Sequence, residues 1–128
     1  MNIGAAAKSS GVPAKTIRYY ESIGLIAPAH RTESGYREFS QIEIDTLRFV
    51  QRARSLGFPV KGVALLLDLW RDRSRASSDV KAMAMEHIGD IDRKIAELQS
   101  MRDTLLHLSE QCHGDDRPDC PILEGIAG

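Results

Sequence analysis

The feature that most constrains this chain is an apolar stripe too long for one small domain to cover. From about Asp79 to Gln111 the sequence predicts a single helix. Ala84, Ile88, Ile91, Ile95, Leu98, Leu105 and Leu108 recur along it in steps of three and four with one gap, where Arg102 stands and Met101 sits beside it. That spacing is a coiled-coil seam. At 1.5 Å per residue the helix would run roughly 50 Å. A domain of about 75 residues, all that precedes it, is too small to bury such a stripe. A matching helix from a second copy covers it, and the seam therefore predicts a homodimer.

Charge divides the chain at nearly the same place. Residues 1–75 hold 12 Lys and Arg against 7 Asp and Glu, whereas residues 76–128 hold 5 against 11. A basic half suited to a polyanion thus precedes an acidic half with another task. No run approaches the roughly 18 apolar residues of a membrane span. The start, Met1-Asn2-Ile3-Gly4-Ala5, lacks a basic region followed by an apolar one, so no secretory signal is expected. Two cysteines are too few for a disulfide scaffold and fit a reducing cytosol.

Within the basic half, glycines and prolines punctuate helical patterns. A helix from about Ile3 to Ser9 ends at Gly11, and a second begins near Pro13 in its first turn and stops at Gly24. The polar segment from Ile26 to Phe39 carries Ser34-Gly35, a turn able to close a two-stranded wing. Ser40 and Glu43 form a capping box opening a helix to about Leu56-Gly57. Another helix follows Pro59, with Val63, Leu66, Leu67 and Trp70 on one face, and Arg71 to Ser78 reads as a linker.

Two short helices joined by a tight glycine turn make a helix-turn-helix. On the second, Lys15, Arg18, Tyr19 and Ser22 fall within a sector of about 100°, and Ile17, Tyr20 and Ile23 lie opposite. One face rests on the protein while the other offers two cations and a phenol to phosphates or guanine edges. A solvated basic face would explain one such helix alone. Arg31, Tyr36 and Arg37 in the wing, with Arg54 beyond it, spread cations over three elements and favour nucleic acid.

The segments Ile17-Arg18-Tyr19-Tyr20-Glu21, Gly24-Leu25-Ile26, Arg31-Thr32-Glu33-Ser34-Gly35-Tyr36-Arg37 and Leu56-Gly57-Phe58 resemble the signature of MerR-type transcription regulators. The resemblance covers essentially the whole chain. It implies a winged helix-turn-helix dimer on an inverted-repeat operator. Lys15, Arg18 and Tyr19 would then lie in the major groove, Tyr36 and Arg37 on the wing, and Arg31 and Arg54 on phosphates. Two positions depart from the family's habit. Pro13 stands where Ser or Thr often caps, and Phe39 where Tyr is common.

The acidic half ends in two thiols. Cys112 follows Leu108 by four residues and so ends the seam. The intervening His113-Gly114-Asp115-Asp116-Arg117-Pro118-Asp119 is turn-forming. Cys120 precedes Pro121 at a helix start, where the dipole and free N–H groups favour a thiolate, and Ile122, Leu123 and Ile126 form a short apolar lid. Closed zinc sites need four ligands. Two thiolates suit a soft monovalent ion such as Cu(I). Inert thiols or an adventitious disulfide are the plain alternative. His113 reads as a solvated neighbour, His87 and His107 as helix-surface or structural residues, and Met83, Met85 and Met101 as packing.

This loop resembles the copper-efflux regulator (CueR/HmrR-type) branch of the family. The branch implies Cu(I), Ag(I) or Au(I) held linearly by Cys112 and Cys120. It also implies a serine, here Ser77, where sensors of divalent ions place a cysteine from the partner subunit. Ser77 would tune selectivity without being a ligand, and Ser77 or Ser78 would equally serve as a plain helix cap.

The expected fold is all-α with a small β wing. A winged helix-turn-helix domain spans 1–75, a long antiparallel coiled-coil dimerisation helix 76–111, and a metal-binding loop with a short helix 112–128. The expected function is a cytoplasmic Cu(I)-responsive activator of copper-efflux promoters. The resemblance implies that metal makes the dimer bend and untwist promoter DNA for RNA polymerase. The rivals are a sensor of divalent zinc, cadmium or mercury, and a thiol-based copper chaperone, which lacks a C-x-x-C motif and leaves the basic wing unexplained. An iron–sulfur sensor would want four cysteines. No nucleophile, base and orienter occur together, so no enzyme is expected.

Overall fold

The computed structural model describes all 128 residues. Six helices and one two-stranded ribbon follow in order: α1 (Ile3–Ser10), α2 (Ala14–Ser22), β1 (His30–Arg31), β2 (Arg37–Glu38), α3 (Gln41–Ser55), α4 (Val60–Arg71), α5 (Ser77–Gln111) and α6 (Pro121–Ala127). They form two compact units, Met1–Val80 and Lys81–Gly128, and the helical fold with a small antiparallel wing is as the sequence predicts.

In the first unit local chemistry fixes the boundaries. The Asn2 side chain accepts from the Ala5 amide at 2.8 Å to start α1, and Gly11, at φ 78°, turns the chain out of it. Pro13 is the N-cap of α2 rather than a first-turn residue, with extended backbone and no side-chain cap. Both arms of the Ser40–Glu43 capping box are present at α3. The wing closes through Gly35, with His30 opposite Glu38 and Arg31 opposite Arg37.

The core gathers Val12, Ile17, Ile44, Leu47, Val50, Val63 and Leu67, as α1 packs on α2 and α3, and α3 on α4. Two expected core residues lie outside it. Ile23 is exposed because α2 ends at Ser22. The amides of Leu25 and Ile26 instead turn back onto the Tyr20 carbonyl, and those two side chains take the buried places. Trp70, in the last turn of α4, is 43 % exposed and stacks on Phe49 with ring centroids 4.4 Å apart. Its ring thus caps the core edge instead of entering it.

In the second unit α5 buries no residue at all, and Ile88, Ile91, Ile95, Leu98 and Leu105 all face water in the single chain. A contiguous exposed apolar row of this kind has the character of an interaction surface. No helix is long and apolar enough to cross a membrane.

Candidate DNA interface and thiol hairpin

The sequence makes α2 amphipathic, and packing of Ile17 and Tyr20 into the core turns its other face outward. Lys15, Arg18 and Tyr19 are all exposed there. The Tyr19 and Tyr20 rings lie 6.1 Å apart, so the buried ring props the exposed one.

The wing is anchored to this helix by one ion pair. Arg37 Nε donates to Glu21 Oε1 at 2.9 Å, and Glu21 Oε2 accepts from the Ala29 amide at 3.4 Å. The side chains keep 22 % and 10 % of their surfaces, so the pair is half-buried. The resemblance implies DNA contact for Arg37, and nothing local in the sequence points to Glu21 as its partner. Arg37 Nε is committed to positioning the wing, which leaves its two terminal nitrogens for any phosphate.

At the wing tip the Thr32 amide donates to the Tyr36 carbonyl at 2.8 Å, and the Arg31 guanidinium donates to the Gly35 carbonyl at 2.8 Å. Tyr36 is 73 % exposed. Arg54, near the end of α3, donates to the Phe58 carbonyl at 2.8 Å. Arg31 and Arg54 therefore each brace a turn with one nitrogen while remaining on the surface. Arg48 Nε donates to the Ser9 carbonyl at 3.0 Å and ties α3 to α1.

Ser77 is the first residue of α5, one step inside the helix from a capping position, and the Asp79 amide bonds the Ala76 carbonyl at 3.1 Å. Ser77 lines an open polar depression with Trp70, Arg73 and Arg75. At the far end Cys112 leaves α5 with its amide on the Ser109 carbonyl at 3.1 Å. Gly114, at φ 67°, turns the loop. Asp115 accepts from the Arg117 amide at 3.0 Å and from its guanidinium at 2.8 Å, so both side chains are spent on loop shape. Cys120 is the N-cap of α6, and Pro121 occupies the first turn as the spacing predicts.

α6 folds back so that Gly125 lies against Leu108. Both thiols are free and half-buried, one at each end of the loop that joins α5 to α6. Of the expected lid, Ile122 is half-buried, but Leu123 and Ile126 stay exposed because the glycine face of α6 makes the contact. No cluster of three or more His, Cys, Asp or Glu is placed to hold a metal ion.

Residues 1–70 match the family model for MerR HTH family regulatory proteins, and residues 44–108 the model for MerR DNA binding. The chain belongs to the MerR family. It is a DNA-binding transcription regulator and not an enzyme, and regulators of this family typically act as dimers. It is 65 % identical over 99 % of its length, and 86 % of the relative's, to heavy metal-dependent transcription regulator 2 of Rhizobium meliloti. To the regulator CueR of Salmonella typhimurium it is 44 % identical, over its whole length and 93 % of that protein. Among solved structures it resembles MerR of Bacillus megaterium in complex with mercury(II), with 35 % identity, a TM-score of 0.71, and 96 % and 95 % of the two chains covered.

Proposed function

We propose that this MerR-family protein is a cytoplasmic, Cu(I)-responsive activator of copper-efflux promoters, with Ag(I) or Au(I) as alternate effectors. The observation that carries this reading is the donor count. Two free thiols flank the loop between α5 and α6, and no cluster of three or more His, Cys, Asp or Glu is placed to hold a metal ion. Two thiolates satisfy a soft monovalent ion held linearly, whereas a divalent ion wants three or four ligands. Cys112 and Cys120 would hold the ion through their thiolates. The relatives named for heavy metals and for CueR support the assignment.

In this reading Lys15, Arg18 and Tyr19 enter the major groove of an inverted-repeat operator. Tyr36 and Arg37 flank it from the wing, and Arg31 and Arg54 contact phosphates. Two copies pair along the exposed α5 seam, and metal binding favours the dimer conformation that bends and untwists promoter DNA for RNA polymerase. Metal can do this only by binding that conformation more tightly than the other. Ser77 withholds the third ligand that a cysteine there would bring.

A divalent sensor is the second reading, favoured by the mercury complex of the B. megaterium relative. An anaerobic competition titration of the reduced protein, Cu(I) or Ag(I) against Zn(II) and Hg(II), separates the two. One monovalent ion per protomer, lost in Cys112→Ser and in Cys120→Ser, is expected. A retained preference for Hg(II) or Zn(II) would overturn the Cu(I) assignment.

A further inference from the structure

Leu108 and Gly125 approach so closely that a side chain at position 125 would require Leu108 or α6 to shift. A Cβ on Gly125 would fall 2.6 Å from Leu108 Cδ2, 2.7 Å from Cδ1 and 3.3 Å from Cγ. Gly125 lies inside α6 and has no left-handed backbone to explain it, although glycine is a poor helix former beside alanine. What the position demands is space.

The atoms in the way are the two methyls and the branch carbon of Leu108. An added Cβ is accommodated by a new Leu108 rotamer or by a retreat of α6, and only the retreat changes what the thiols meet. Leu108 also belongs to the α5 seam and is half-buried while its neighbour Leu105 is exposed, so the contact covers it. Leu108 precedes Cys112 by four residues and Gly125 follows Cys120 by five. The contact is therefore close to one helical turn from each thiol.

We propose that Gly125 is a positioning residue, setting with Leu108 how deeply α6 closes on α5 and hence the spacing of the two thiols. The contact is independent of any metal, while its consequence for metal affinity rests on the two-thiolate reading above. Gly125→Ala separates helix formation from docking, because alanine strengthens the helix and blocks the approach.

The test uses the full-length protein as Gly125→Ala, Leu108→Ala and the double variant. The alkylation rates of Cys112 and Cys120 are read in reduced, metal-free protein, and Ag(I) affinity by competition. In Gly125→Ala, faster alkylation at undiminished helicity and about tenfold weaker Ag(I) binding are expected, the low end of an overpacking cost. Leu108→Ala added to it should restore both, since it reopens the space. Unchanged alkylation in Gly125→Ala, or no restoration in the double variant, overturns the proposal. Unmoved Ag(I) affinity there, with binding abolished by Cys112→Ser, overturns the positioning role and leaves the metal site standing. Affinity unmoved in both overturns the site and the proposal together.

Discussion

Glu21→Ala should loosen the wing without removing a single positive charge from the DNA face. The carboxylate accepts from Arg37 Nε at 2.9 Å and from the Ala29 amide at 3.4 Å, and only a tenth of the Glu21 side-chain surface meets water. A hydrogen bond between charged, partly buried groups contributes about 1.5–3 kcal/mol. The full cost of about 3–5 kcal/mol for breaking a buried pair does not apply, because Arg37 keeps some exposure and its terminal nitrogens can hydrate. The long Ala29 contact adds little, so the expected loss is about 2 kcal/mol, or on the order of 10 °C in Tm for a domain of this size. Urea unfolding of the parent, Glu21→Ala, Arg37→Ala and the double variant measures it, at one protomer concentration because dimerisation contributes to stability. A coupling energy of about 1–2 kcal/mol is expected. Additive single effects would refute the anchoring role. Operator binding gives a second readout. Glu21→Ala should weaken it through wing mobility at unchanged salt dependence, since no phosphate contact is lost.

Arg18→Ala should lower operator affinity and also reduce the salt slope by about one unit, as the loss of a phosphate-neutralising cation requires; an unchanged salt series would remove Arg18 from the interface. Ile95→Glu places a carboxylate in the middle of the exposed seam and should shift the protein to monomer in sedimentation analysis, and a persistent dimer would mean that another face pairs the chains. Asp72 is held below its ordinary value of 3.8 by the Ser74 hydroxyl and amide, with Arg75 beside it. A depressed carboxylate stabilises its turn above the ordinary value and loses that contribution as pH falls through the depressed one. Ser74→Ala should therefore move the Asp72 titration, followed by NMR, upward toward 3.8, and no movement would dismiss the Ser74 hydroxyl as its cause.

Element existence was readable because each boundary carries its own chemistry: the Ser40–Glu43 box, Gly11, and prolines just before or at helix starts. The seam was readable because its period is a property of the chain, not of what covers it. Misplaced residues lie where a boundary moved by one or two positions. Ile23 belongs to the apolar face only if α2 continues, and the turn at Gly24 gives its place to Leu25 and Ile26. The role of Glu21 is not legible in the sequence, because its partner lies sixteen residues away and no local rule links them. Gly125 was equally silent, since a glycine read from sequence advertises backbone freedom, and here what matters is the missing Cβ.

The proposed two-donor site also limits how metal can act. Moving a two-state equilibrium from 1:99 to 99:1 needs about a 10⁴-fold difference in affinity between the states. With only two donors, that difference cannot come from exchanging one complete ligand set for another. It must come from whether the second thiolate is within reach. A conformer with α6 closed on α5 offers a chelate, and one with α6 withdrawn offers a single thiolate to the same ion. Asp115 and Arg117 stiffen the loop between the thiols, and Leu108 meets α6 through the one residue that has no side chain. Because Leu108 is also a seam residue, closing the hairpin changes what the dimer helix presents at its end. On this proposal metal affinity and dimer packing are coupled through one side chain, and linkage then requires that metal binding shift the packing equilibrium by the same factor by which packing shifts metal affinity.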